Sequence, residues 1–410
     1  MKKISSLIIL MFLFSSLARA GGFQVALQGQ IQGGMGLLGT GFLVGPSTLF
    51  YNPGGMSFLS NDYNLSVGMN PLISNVTFQY AEPSLYETTT DNPVGTPFTF
   101  YGTGKINEKI SVGLGVYTPF GSSTVWGDDW RGKYIIQDIS LQAIFIQPTV
   151  SYKITETLGI GAGFVYARGD VELHKALPLT GTDGEDGQAT ITGSTANYGF
   201  NAGIYFQPSE KISLGLTYRS KIEMNIDDGD VEFDVPTSLS TYFPENNSYS
   251  TSLPLPASIN FGLSYQVNEK IKVGADVNYV FWEDYKSLDF DFEKNTDVLT
   301  DLEQPKKYSN GAIYRIGMEY DMNEKINLRT GFYYDSPVAN DEYYAPETPD
   351  AVKLGFTGGA SYMAMQNLSV DISFIYITGL EREATYKPEN FGGTYKYNAF
   401  IPGLGVSYKF

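Results

Sequence analysis

Cysteine is absent from this sequence, so no disulfide framework can hold it together. Histidine occurs once, as His174, which excludes a metal centre built from His and Cys. Charge is sparse at 17 %, and Lys and Arg (27) are outnumbered by Asp and Glu (44). Nucleic acids need a basic surface, so the balance excludes them as partners. Long apolar runs are missing too. Past the first residues nothing approaches the roughly 18–20 apolar residues of a membrane helix.

What is present leans to strands. There are 30 Tyr, 26 Phe and 45 Gly, a mixture suited to strands apolar on one face and small or polar on the other. The start reads as a removable address: Lys2 and Lys3, an apolar run to Leu17, then Ala18-Arg19-Ala20. We expect a signal peptide over residues 1–20 and cleavage after Ala20 into an oxidising compartment. Loss of Lys2, Lys3 and Arg19 moves the net charge from −17 to −20.

A short polar turn then recurs: Asn107-Glu108-Lys109, Thr155-Glu156-Thr157, Ser209-Glu210-Lys211, Asn268-Glu269-Lys270, Asn323-Glu324-Lys325 and Gln366-Asn367. Each precedes an alternating segment such as 212–218. Such turns join neighbouring antiparallel strands. Their centres lie 48, 54, 59, 55 and 42 residues apart, room for a strand out, a long loop and a strand back. With one strand before the first turn and one after the last, this predicts fourteen strands with short turns at one rim and long loops at the other. That is the pattern of a membrane β-barrel. Ile271, Val273, Ala275 and Val277 share one face, Lys272, Gly274, Asp276 and Asn278 the other. A large soluble β-protein would pack the apolar face on a second sheet; a barrel turns it to lipid. The last strand carries Leu404, Val406, Tyr408 and Phe410 in one phase, which resembles the assembly signal of bacterial outer-membrane barrels.

About forty residues precede the first strand near Tyr63, Gly-rich and too apolar for a disordered tail. A fourteen-stranded ring is wider than side chains alone fill, so this segment is expected to lie in the lumen as a plug. The expected organisation is residues 1–20 signal peptide, 21–61 hatch and 62–410 barrel.

Several motifs, in order, resemble the FadL family of long-chain fatty acid and hydrocarbon transporters. They are Gly22-Phe23-Gln24, the hatch motif Asn52-Pro53-Gly54-Gly55-Met56, Thr118-Pro119-Phe120-Gly121, Trp130-Arg131-Gly132-Lys133-Tyr134, Val165-Tyr166-Ala167-Arg168, Leu216-Thr217-Tyr218-Arg219-Ser220, Leu253-Pro254-Leu255-Pro256, Ile313-Tyr314-Arg315-Ile316-Gly317, Ser336-Pro337-Val338 and Thr348-Pro349-Asp350. The resemblance implies an all-β, fourteen-stranded outer-membrane barrel with an N-terminal hatch. It implies capture of ligand at the outer loops, an inner apolar pocket near the N-terminus, and sideways exit through a distorted third strand. Gly113, Gly115 and Pro119 are the residues that could weaken that strand; the glycines could equally just make room inside.

A carboxylate head needs cationic or hydrogen-bonding partners. By alternation Arg315 faces the lumen opposite Tyr333, whereas Arg329 faces Glu319 as a structural pair and Arg219 faces Asn201. Arg168 belongs to a motif that implies a head-group role, yet alternation sets it on the lipid side unless a bulge intervenes. The ligand-binding set is therefore Arg315, Arg168, Phe23 and Tyr333, with Asn52, Pro53 and Gly54 as the hatch motif. The family's partner lysine before the tenth-strand motif is missing, since Asn310 and Gly311 stand there, with Lys306 and Lys307 further back. Aromatic or aliphatic hydrocarbons thus remain open as substrates, as does a general porin. Trp126, Trp130 and the Tyr242-Phe243 pair are expected as exposed loop aromatics that gather ligand, or as girdle residues. No catalytic set, metal site or cofactor is expected: His174 reads as a surface residue at the end of strand five beside Lys175, among solvated loop residues, and Asp227-Asp228-Gly229-Asp230 as an acidic loop lacking the distant bidentate Glu of a calcium loop. The expected partners are a fatty acid or similar hydrophobic molecule, outer-membrane lipid and lipopolysaccharide, with the barrel a monomer.

Overall fold

A computed structural model of the chain describes residues 22–179 and 185–410; the expected signal peptide, residues 1–20, lies outside them. Among the described residues, twenty-one strand segments join end to end into a closed barrel of fourteen antiparallel strands. They are β1 (Tyr63–Met69, resumed as Ile73–Tyr80), β2 (Glu87–Thr89 and Phe98–Lys105), β3 (Ile110–Val125), β4 (Asp138–Lys153), β5 (Leu158–Leu177), β6 (Gly187–Ser209), β7 (Ile212–Arg219 and Ile222–Asp234) and β8 (Asn247–Leu255 and Ser258–Asn268). Then follow β9 (Ile271–Val280 and Ser287–Phe292), β10 (Leu302–Pro305 and Gly311–Asn323), β11 (Ile326–Asp335), β12 (Lys353–Met365), β13 (Leu368–Gly379 and Arg382–Tyr386) and β14 (Phe391–Lys409). The ring closes where β1 meets β14, with Leu65 opposite Tyr408. Tyr63 and Phe410 there exchange backbone bonds of 2.8 and 3.0 Å.

The recurrent turn works through its first residue. The Asn107 carboxamide oxygen accepts from the backbone N–H of Lys109 and of Ile110, each at 2.9 Å. Asn268 and Asn323 repeat this on Lys270 and Ile271, and on Lys325 and Ile326. An Asn side chain thus adds two bonds to a turn that the backbone spans with Asn107 N–H to Ile110 O at 3.3 Å.

Alternation sorts the two faces as expected. Phe261 and Ile316 on the outside are 51 % and 58 % exposed, part of an apolar belt that includes Val67, Leu114, Ile160, Phe356 and Leu404. The inner face carries buried Ser, Thr, Asn and Asp, among them Ser151, Asn201, Asp276 and Asp371. Of the described residues, no helix is long and apolar enough to cross a membrane. β5 and β6 hold 20 and 23 residues, about twice the ~9–11 needed to cross a bilayer core, so they project well beyond it.

That projection bears on two sequence expectations. His174, expected at the end of strand five, lies in β5 three residues before its last, Leu177, with its Nδ1 2.8 Å from Asp138 Oδ1 on β4. The acidic run 227–230 is a bulge within β7, where the register shifts between Ile226 and Gly229. A third concerns the loop tryptophans. Trp126 and Trp130 are buried and stacked at 4.5 Å, packed with Phe78 and Phe391, and the Trp126 indole N–H donates to Pro346 O. They form a core beneath the loops rather than a surface. Of the Tyr242-Phe243 pair, only Tyr242 is exposed.

Candidate functional site

Residues 22–62 run through the barrel. A short helix α1 (Gln30–Gly34), a second, α2 (Thr48–Tyr51), and a 3-10 turn (Pro53–Phe58) are tied to the wall from several sides. Asn52 is fully buried; its amide donates to Thr40 O (2.8 Å) and to Ile204 O on β6 (3.0 Å), while its oxygen accepts from Gly54 N–H (3.1 Å). Asp276 on β9 accepts the N–H groups of Gly39 and Thr40, each at 3.0 Å. Gly36 and Leu37 take positive φ, 72° and 63°, and Gly36 N–H is held by Thr357 Oγ1 on β12 at 2.7 Å.

The approach is so close that the wall there has no side chains. A Cβ on Gly203 would sit 2.3 Å from Asn52 Oδ1, and one on Gly215 would sit 1.9 Å from Thr40 O. Gly161, Gly317 and Gly331 stand equally close to the backbone of Pro53, Met35 and Gly36. On the inner wall, then, strand glycines mark where the segment docks.

Above it lies a cavity of about 400 Å³. Phe23, Val25, Leu27 and Leu37 of the segment line it, together with Val76, Phe120, Ile377 and Ile401 of the wall. Its polar end holds Arg315, Tyr333, Asp335 and Lys353. Arg315 is opposite Tyr333 on one side and Asp276 on the other, as β9, β10 and β11 pair. Its Nη1 donates to Leu37 O at 3.4 Å, and its Nε is buried with no hydrogen-bond partner. Asp335 Oδ1 is likewise buried and unpartnered, and Lys353 Nζ stands 3.7 Å from Asp350. A buried cation with an open donor beside apolar walls can receive an anionic or accepting head group with a hydrocarbon tail.

The wall is broken beside this cavity. The β2–β3 ladder ends at Thr99 and Tyr117, and β3 then shifts register against β4 between Tyr117 and Phe120. The freed backbone turns inward: Val25 N–H donates to Pro119 O (2.8 Å), Gly121 N–H to Phe23 O (3.2 Å), and Gln28 Nε2 to Thr118 O (3.1 Å). The two strands rejoin at Asp91 N–H and Val125 O, 2.9 Å apart. Between these points residues 92–97, Thr118 and residues 120–124 border the cavity.

The sequence-selected residues therefore separate. Phe23, Arg315 and Tyr333 meet in the cavity. Arg168 does not join them: it points outward from β5, 61 % exposed, with Asp170 at 3.5 Å, because no bulge resets the phase of β5 at that point. Pro119 lies at the break, but Gly113 and Gly115 lie in intact ladder opposite Thr103 and Tyr101, where a Cβ would strike Leu49. Arg329 pairs with Glu319 at 2.6 Å. Arg219 faces Asn201 and lies over the Phe50 ring at 4.4 Å, so it braces the luminal segment. Lys353, Asp335 and Asp276 were missed, although alternation on β12, β11 and β9 places each on the inner face.

Residues 11–410 match the family described as "Outer membrane protein transport protein (OMPP1/FadL/TodX)". The chain is similar to the 47 kDa outer membrane protein of Pasteurella multocida, 26 % identical over 381 residues, 88 % of this chain and 87 % of that protein. It is also similar to the long-chain fatty acid transport protein of Salmonella typhi, 22 % identical over 329 residues, 74 % of each chain. In fold it is similar to the crystal structure of a Pseudomonas aeruginosa FadL homologue, with a TM-score of 0.81 at 18 % identity, covering 96 % of this chain and 100 % of that one.

Proposed function

The chain belongs to the OMPP1/FadL/TodX family of outer membrane transport proteins, and from that premise we propose that it takes up long-chain fatty acids through the inner cavity. The family and fold are those of transport channels for hydrophobic molecules in the Gram-negative outer membrane. The observation that carries the finer reading is Arg315: a buried guanidinium with an unpartnered Nε at one end of a largely apolar cavity. An acyl chain laid on Phe23, Leu37 and Phe120 loses its hydration, worth about 25 cal/mol per Å². The carboxylate takes the open donor of Arg315, with Lys353 as the second cation. The reading includes no catalytic role for the cavity residues. The luminal segment acts as the hatch that keeps the barrel from being an open pore, and the ligand leaves sideways through the break between residues 92–97 and 118–124. The protein works as a monomer embedded in outer-membrane lipid and lipopolysaccharide.

The test is equilibrium binding of oleate and of toluene to delipidated protein, before and after Arg315→Ala. A hydrogen bond to a charged group is worth about 1.5–3 kcal/mol, so oleate should bind roughly tenfold to a hundredfold more weakly, with toluene unaffected. Unchanged oleate affinity would remove Arg315 from the reading. A second reading, hydrocarbon uptake, draws on the absence of Lys and Arg among the described residues that line the outer pocket considered next. Saturable toluene binding without oleate binding would select it, and binding of neither would return the porin reading.

A further inference from the structure

A second pocket sits beyond the first and shares Phe23, Ser122, Leu141, Gln142 and Thr348 with it. Its wall is mostly apolar, with aliphatic side chains such as Leu173, Ile226, Leu253 and Leu288 beside the rings of Tyr249, Tyr285 and Phe290. Two charged residues line it, Asp170 and Glu347, and both are acids. Asp170 is already engaged, by Ser194 Oγ at 2.7 Å and by Arg168. Glu347 is different. It is only 7 % exposed, and its Oε1 is held by the Lys306 ammonium, itself 1 % exposed. Its Oε2 is buried and has no hydrogen-bond partner. The neighbouring Thr348 hydroxyl is paired with Tyr308. Lys306, and Lys175, whose charge also reaches Glu347, are not among the lining residues.

An ionised carboxylate oxygen can only accept. The group that satisfies Glu347 Oε2 is therefore a donor, whereas a ligand carboxylate would bring like charge to an acid in a water-poor pocket, where repulsion is weakly screened. We propose that the outer pocket is a selectivity site for aliphatic ligands with a neutral, hydrogen-bond-donating head. The tail lies on the aliphatic wall and a hydroxyl donates to Glu347 Oε2. Long-chain alcohols and the protonated form of fatty acids share that chemistry. The proposal rests on the uptake reading above and adds the head-group rule at the entrance: an acceptor first, at Glu347, and the donor Arg315 only past Phe23.

The test uses the full chain in amphipol with radiolabelled 1-dodecanol, dodecanoate (at a pH that keeps it ionised) and dodecane. Outer-pocket binding is the part lost when Leu253→Trp or, independently, Ile226→Trp fills the pocket. The parent protein should bind dodecanol there at least tenfold more tightly than dodecanoate. The paired variant Lys306→Met with Glu347→Leu removes both buried charges together and so leaves none unpaired. It should weaken dodecanol about tenfold, leave dodecane unchanged and erase the bias against dodecanoate. Equal outer-pocket binding of dodecanol and dodecanoate by the parent would overturn the proposal, and so would parent-like dodecanol binding by the paired variant. Oleate binding lost in Arg315→Ala reports the uptake reading separately, so either idea can fail while the other stands.

Discussion

Replacing Asp276 with Ala removes the acceptor that two buried N–H groups share, those of Gly39 and Thr40, each 3.0 Å from its Oδ2. The Thr40 carbonyl itself accepts from Asn52, and Asp276 is only 2 % exposed, so water has little access to replace the lost acceptor. A buried donor left without a partner costs about 1–3 kcal/mol, so the docked form of this stretch should lose about 2–6 kcal/mol. At about 1.4 kcal/mol per tenfold, the undocked population rises roughly thirtyfold at the least and about twenty-thousandfold at the most. Asp276→Asn keeps one acceptor oxygen and should give a smaller rise, about tenfold. Amide hydrogen exchange read by mass spectrometry resolves this. Peptides covering 35–42 should exchange faster by those factors, while peptides from β11 to β13 keep their protection. If exchange at 35–42 is unchanged, Asp276 does not hold the segment. If every strand speeds up equally, it holds the barrel instead.

Other outcomes follow from the same structure. Gly215→Val pushes a side chain into Thr40 O, where a Cβ already falls at 1.9 Å; the overpacking costs at least about 1–3 kcal/mol and should lower the thermal midpoint and raise exchange at 35–42. Removing residues 21–60 should turn the protein into an ion-conducting pore in planar bilayers; conductance equal to that of the parent would mean the segment does not seal it. Arg168→Ala should leave oleate affinity within twofold, since the side chain faces outward with Asp170; a tenfold loss would place the head group elsewhere. Ser122→Trp, which lines the cavity at the break in the wall, should weaken oleate binding to the purified protein as well as slow its uptake into cells; unchanged binding would place the acyl chain elsewhere.

The strand count was legible because the short turns are local and polar. In three of them an Asn oxygen taking two N–H groups two and three residues on leaves its mark within three positions of sequence. Facing was legible for the same reason: alternation set Arg315 inward, Arg329 against Glu319 and, left to itself, Arg168 outward. The family motif around Arg168 pointed the other way, and the uninterrupted phase of β5 decided the matter. What could not be read depends on distant partners. Trp126 and Trp130 look like exposed loop aromatics until Phe78, Pro346 and Phe391 close over them. For the break beside β3 the sequence offers Gly113, Gly115 and Pro119, and only Pro119 lies at it: the break arises where the backbone carbonyls of Thr118 and Pro119 turn to residues 25–28, about ninety positions away. Lys353 was overlooked although its phase was readable, because it opens a strand directly after the long segment between β11 and β12.

The glycines of the inner wall bear on how such a protein can change over generations. A lipid-facing leucine can become Ile, Val, Phe or Met and remain soluble in hydrocarbon, so that surface is free to drift. At Gly203 or Gly215 every possible substitution adds atoms, and the space they would fill already belongs to Asn52 or Thr40. No smaller residue exists to try, so single steps there all run toward a clash. The seat of the luminal segment can be remodelled only by altering wall and segment together, whereas the two pockets above it, built from full-sized side chains, can be enlarged or narrowed one residue at a time. The pockets can thus change shape in small steps without disturbing the docked segment beneath them.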